Sequence, residues 1–104
     1  MVDLDKWISD ILNTDPAIFE NAYWGTRPRI EDVLPKLIDL LLIIEDPYAR
    51  GKILELIGES ESMMVMPYLE KDCAHSDQRI RDWANGAIDA LRNGVKWDKY
   101  PKYL

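Results

Sequence analysis

The chain has 104 residues, with 13 basic and 19 acidic side chains, a formal net charge of −6 and an isoelectric point near 4.7. That length holds one domain, and at 47% hydrophobic residues the chain is too apolar for a disordered segment. The acid excess argues against a general nucleic-acid binder, which needs clustered Lys and Arg to displace counterions. The single cysteine, Cys73, excludes an internal disulfide framework and suits a reducing compartment.

The first residues carry Asp3 and Asp5 where a secretory leader needs positive charge. The longest aliphatic run covers only residues 40–44, against the roughly 20 residues of a membrane helix. The expectation is a soluble, cytoplasmic protein.

Residues 2–12 set Leu4, Trp7, Ile8, Ile11 and Leu12 on one helical stripe, with Asp3 and Asp5 in the first turn, where the helix dipole favours acid. Asp15-Pro16 reads as a cap and first-turn proline opening a helix over 16–24, which Gly25 ends. A third helix opens at Pro28. Ile30, Val33, Leu34, Leu37, Ile38 and Leu41 form one stripe, and Val33, Leu37, Leu40 and Ile44 a second, so this helix is expected to be central, packed on more than one side. Pro35 inside it predicts a kink, or a start nearer Val33. Asp46-Pro47 restarts the chain as a fourth helix with Ala49, Ile53, Leu56 and Ile57 on its stripe, ending at Gly58. Residues 59–62 read as a polar turn with Glu59 and Glu61 solvated. A fifth helix covers 63–73, carrying Val65, Met66, Leu69 and Cys73. His75, Ser76 and Asp77 form a loop and cap before a sixth helix marked by Ile80, Ala84, Ala87, Ile88 and Leu91 and ended by Asn93-Gly94. No segment alternates as a strand does, so the fold class is all-α, about six short helices.

Residues 33–37 match 65–69 at an offset of 32, each with a proline in the middle, and residues 46–57 match 77–88 at an offset of 31. Asp46 aligns with Asp77, Arg50 with Arg81, Ile53 with Ala84, Leu56 with Ala87 and Ile57 with Ile88. Two helices per period of about 30 residues is the pattern of an α-solenoid, in which each unit buries its apolar face against the next. Over residues 30–91 the chain resembles the HEAT repeat group, in its short HEAT-like form, which carries a proline in the first helix and an Asp, then an Arg, at the start of the second. The resemblance implies a short right-handed α-solenoid of helical hairpins. Residues 28–58 would be the first repeat and 62–93 the second, with 1–26 as N-terminal capping helices and 94–104 as an aromatic tail covering the last repeat. It also implies that Asp46, Arg50, Asp77 and Arg81 form a hydrogen-bond ladder between neighbouring units. Gly51, inside a second helix, departs from the usual pattern.

Little here points to catalysis. His75 stands near Asp77, but no Ser or Cys nucleophile has a recognisable spacing, and Cys73 lies on an apolar stripe. One His and one Cys do not make a four-ligand zinc site, and no glycine-rich phosphate cradle is present. No catalytic residue, metal or cofactor is assigned, and an enzyme is not expected. A partner surface is more promising. The outward side of the fourth helix carries Tyr48, Lys52, Glu55 and Glu59, and that of the sixth carries Arg79, Asp82 and Trp83, a mixture of charge with the aromatic residues that dominate binding hot spots. Residues 1–61 hold thirteen acids against six bases, a field that attracts a basic partner. In size and acidity the chain resembles small bacterial immunity proteins, some of which are similar to HEAT-like repeats. That resemblance implies a protein that docks on a basic toxin domain and covers its active site, with neither nucleic acid nor membrane as partner. A HEAT-like adaptor or assembly factor is the second reading, and a lyase-type enzyme the third.

Overall fold

Three aspartates 31 residues apart, Asp15, Asp46 and Asp77, each begin a helix by accepting a backbone N–H two or three residues ahead, at 2.9, 2.9 and 2.8 Å. The structure, a computed structural model, describes residues 3–97. Its helices are α1 (Leu4–Ile11), α2 (Pro16–Trp24), α3 (Ile30–Ile43), α4 (Pro47–Gly58), α5 (Met66–Asp72) and α6 (Gln78–Arg92), with a 3₁₀ turn at Met63–Val65 leading into α5. There is no strand among the described residues. The caps open α2, α4 and α6, the second helix of each of three successive pairs. Pro35 neither delays nor breaks α3, which is already helical at Ile30. The fifth helix is shorter than expected, because the chain takes the tighter 3₁₀ form before Pro67 reaches the first turn of α5.

Within the pairs α1 packs on α2, α3 on α4 and α5 on α6, and the most extensive contact joins α4 to α6. Two glycines on one face of α4 allow that approach. A Cβ on Gly58 would stand 2.7 Å from the Ala87 backbone, and one on Gly51 would stand 2.5 Å from the Trp83 indole. Gly51 is therefore the seat of an aromatic ring, which accounts for its departure from the repeat pattern. Ala87 lies in this seam, and Ile80 and Ala84 of α6 are also buried. The central helix is α4 rather than α3: of residues 51–60 only Glu55 is not buried. α3 sends Val33, Leu37 and Leu41 inward but leaves Leu42 and Ile43 60% and 72% exposed. Counting apolar residues favours α3 because α4 carries polar side chains, Lys52 and Glu59, that are buried in paired form.

Of the two arginines of the expected ladder, Arg50 ties neighbouring elements, through a different carboxylate, whereas Arg81 makes only local contacts. Arg50 Nε and Nη2 fork onto Asp72 at 2.8 and 2.9 Å, and Nη1 donates to the carbonyls of Leu41 and, at 2.7 Å, Ile44, which close the end of α3. Thirty-one residues on, Arg81 Nη1 donates to the carbonyls of His75 and Ser76 at 2.6 and 3.1 Å. Asp46 and Asp77 serve as caps, and Asp72, absent from the expected ladder, supplies the link between α4 and α5.

Of the aromatic tail only residues 94–97 are described, and Val95 lies beside α6. Trp97 is buried and reaches back to the first helices. Its indole N–H donates to the Pro28 carbonyl at 2.9 Å, its ring lies 6.0 Å from that of Trp7, and its backbone N–H donates to Glu61 at 3.0 Å. Glu61 is exposed in the turn, as expected, but it is also partnered. It holds the left-handed backbone of that turn (φ 63°) while receiving the returning chain. The remainder of the tail lies outside the described residues. No described helix is long and apolar enough to cross a membrane.

Candidate partner-binding surface

The small residues Gly86, Ala87 and Ala90 fall on the side of α6 that faces α4, and with Val95 they leave a hollow of about 250 Å³. Trp83, one turn earlier, forms a wall, and Glu55 of α4 and Glu59, which caps the end of that helix, complete the lining. Trp83 is 39% exposed because Gly51 lets the indole lie against the α4 backbone instead of burying it between helices. The hollow therefore combines an aromatic wall with carboxylates.

Those carboxylates are held from behind by α2. The Tyr23 hydroxyl lies 2.8 Å from Glu59 Oε2 and 3.1 Å from Glu55 Oε1, so one phenolic proton serves both. Burial, followed by the Glu55 charge, pushes the Tyr23 phenol well above its ordinary range, which keeps it a donor. Arg27 Nη1 donates to Glu59 Oε1 at 2.8 Å and to the Trp97 carbonyl at 3.1 Å, and its Nε donates to the Tyr23 carbonyl at 3.1 Å. The guanidinium sits between the Tyr23 and Trp97 rings, 4.7 and 4.6 Å from their centroids.

Of the seven residues expected on this surface, the hollow gathers Glu55, Glu59 and Trp83. Two expectations of exposure are corrected. Glu59 is only 3% exposed and is committed to Arg27. Lys52 is also buried, because α2 covers that side of α4: its Nζ donates to the Asn13 carbonyl at 3.0 Å and lies 4.3 and 4.4 Å from the Phe19 and Tyr48 ring centroids. That burial pulls the Lys52 pKa down. Tyr48 remains exposed, with its ring covering the ammonium. Arg79 and Asp82 lie on the solvent side of α6, where Arg79 pairs with Asp77 and Asp82 accepts from Gln78 at 2.7 Å. Tyr23, Arg27 and Trp97 were not anticipated: each lies at the end of an element or in a connection, where periodicity carries no signal.

His75 and Asp77 do not form an acid–base pair. His75 Nδ1 accepts the Asp77 backbone N–H at 2.9 Å, while the Asp77 carboxylate takes the Arg79 N–H and guanidinium, whose hydrogen bonds hold its pKa down to about 2. Cys73 is half-buried and meets Asn85 Oδ1 at 3.5 Å; burial pushes its thiol up, away from the reactive thiolate. Among the described residues no group of three or more His, Cys, Asp or Glu side chains is placed to hold a metal ion. Comparison of the chain with protein-family models, curated proteins and solved structures returns no match.

Proposed function

We propose that this chain is a short right-handed HEAT-like stack of three helical pairs that binds a basic protein domain through the α4–α6 hollow, as an immunity protein blocks a toxin. Three features support the stack: the common 31-residue spacing of the capping aspartates, the matching carbonyl contacts of Arg50 and Arg81, and the enclosure of α4 between α2 and α6. The end helices support it too. α1 turns Asp3, Asp5, Lys6 and Ser9 to solvent and α6 turns Asp82, Asn85 and Asp89, as terminal units of such stacks do.

The observation that carries the binding reading is the half-exposed Trp83 sharing a hollow with two carboxylates. A lysine or arginine entering the hollow meets the indole face, worth about 0.5–2 kcal/mol, beside Glu55. The acidic field brings such a partner in quickly, and the aromatic wall slows its departure. A toxin domain whose active site is lined with Lys and Arg would be covered in this way.

The test is direct binding of the full chain to the purified product of the gene adjacent to its own. Trp83→Ala should weaken the complex by roughly thirtyfold or more, the scale of a hot-spot residue. Glu55→Lys should chiefly slow association, and added salt should slow it in the unmodified protein. A complex indifferent to both substitutions, or a neighbouring product that does not bind, would overturn the reading.

A further inference from the structure

A second surface, on different helices, has its own chemistry. Between α3 and the turn leading into α5 runs a hollow of about 440 Å³ that shares no residue with the α4–α6 site. Its apolar lining includes Leu34, Ile38 and Tyr68, the partly buried edge of the core, and Met64, which is 85% exposed. A methionine that exposed is free to close over an inserted side chain, which suits an adaptable binding surface.

The groove's own charged lining has one sign, with Arg29 beside Glu31 and Lys36 in the adjoining hollow as the nearby cations. Its charged lining residues are Glu31 and Asp39. Glu31 has only a solvent-exposed partner, Arg29 at 3.3 Å. Asp39 makes no hydrogen bond or ion pair among the described residues and also lines the neighbouring hollow between α1 and α3. Glu31, Leu34, Ile38 and Asp39 follow one another along the same side of α3, so acids bracket an apolar centre over about two turns. The walls are helices and no strand edge is present among the described residues, so the groove offers side chains rather than backbone groups for pairing.

We infer that this groove binds an amphipathic helix of a partner protein, with apolar residues at i, i+3, i+4 and i+7 seated on Leu34, Ile38 and Met64 and with Lys or Arg on its flanks facing Glu31 and Asp39. A neutral or acidic helix fits the shape but not the charge.

The experiment titrates the full chain, with labelled methyl groups, against an amidated peptide of about 18 residues, long enough to hold helix when bound, carrying leucines at those spacings and lysine flanks. Two control peptides replace the lysines by glutamate or the leucines by serine. The Met64 and Ile38 methyl signals should move with the lysine–leucine peptide only. Asp39→Lys should weaken binding about tenfold, Met64→Ser should weaken it less, and both variants should keep the helical circular dichroism, since these side chains are exposed. Trp83→Ala should leave this binding unchanged, which separates it from the α4–α6 site. Equal binding of the lysine and glutamate peptides, indifference to Asp39→Lys, or signals moving around Trp83 would overturn the inference. So would self-association abolished by Met64→Ser, which would give the groove to a second copy of the chain.

Discussion

Arg50 and Arg27 both turn inward onto a carboxylate, yet the fold holds them in different ways. Arg50, its side chain 13% exposed, forks onto Asp72 and closes two helix-end carbonyls, so Nε, Nη1 and Nη2 all donate. Arg27, at 2%, meets Glu59 through one nitrogen, donates to the Tyr23 and Trp97 carbonyls, lies between two aromatic rings and, among the described residues, leaves Nη2 with no hydrogen-bond partner. The first arrangement recurs in part at Arg81, 31 residues later. The second joins the α2–α3 connection, the end of α4 and Trp97, segments far apart in the chain, and has no counterpart. A charge so fully desolvated depends more heavily on its carboxylate than one held by a fork at the edge of the core.

Removing the carboxylate from each pair gives the largest contrast. Glu59→Ala strands the Arg27 charge and should cost about 3–5 kcal/mol. At about 4–8 °C per kcal/mol for a domain of this size, thermal unfolding should then fall by well over 10 °C. Asp72→Ala should cost clearly less, because Arg50 reaches water whereas Arg27, which likewise keeps two carbonyl partners, does not. Replacing both members of the buried pair, Arg27→Met with Glu59→Leu, should recover most of the loss. Denaturant unfolding of the four proteins measures this, and equal losses for Glu59→Ala and Asp72→Ala would break the contrast.

Arg50 and Arg81, 31 residues apart, sharpen it further. Arg50→Lys keeps the charge but loses the fork and the two carbonyls, and should cost about 2 kcal/mol. Arg81→Lys loses carbonyl contacts and a Gln78 contact but no ion pair, and should cost about 1 kcal/mol or less. The same denaturation series reads both, and a larger loss at Arg81 would remove Asp72 from its assigned role.

These two arginines also mark how far the residues could be read in advance. Helix positions, caps and the Arg50–Arg81 equivalence follow from local rules and a period, and the structure has them nearly in place. Asp72 escaped because its partner lies 22 residues back on another helix, a pairing that no i, i+4 rule describes. The inward turn of Lys52 and Glu59 escaped for a related reason. A charged residue on a helix reads as solvated unless the ring or guanidinium that covers it is known, and here those groups come from α2 and the segment after it. The hollow beside Trp83 was half legible: the aromatic and the acids were marked, whereas Gly51, which seats the indole, reads as a defect until α6 is laid against it.

Trp97→Phe tests the aromatic side of the Arg27 site with less disruption. A ring remains to cover the guanidinium, but the N–H that meets the buried Pro28 carbonyl is gone, and stability should fall by about 1–2 kcal/mol. No loss would mean that the indole hydrogen bond adds nothing beyond the stacking.

The smallest effect belongs to a third arginine, at the opposite extreme of burial. Arg79 pairs with Asp77 at 2.9 Å on the open surface, and the Asp77 carboxyl is held near 2 against an ordinary value of 3.8, chiefly by the Arg79 side chain. Because the folded-state value lies below the unfolded one, this pair stabilises fully above roughly pH 4, less as the carboxyl titrates, and not at all below roughly pH 2. Solvent and salt screen so exposed a pair, so its effect is small and should shrink further as salt is added. Asp77→Asn keeps an oxygen for the Arg79 N–H, and with it the start of α6, but removes the charge. Its stability profile should therefore drop less steeply between pH 4 and 2 than that of the unmodified protein, and the two profiles should converge at the acid end. Some acid sensitivity should survive in the variant, because Glu61 is also held below its ordinary range, first by the Trp97 backbone N–H. Parallel profiles across that window would mean that Asp77 matters as a cap alone, and that burial rather than charge separates the arginines of this fold.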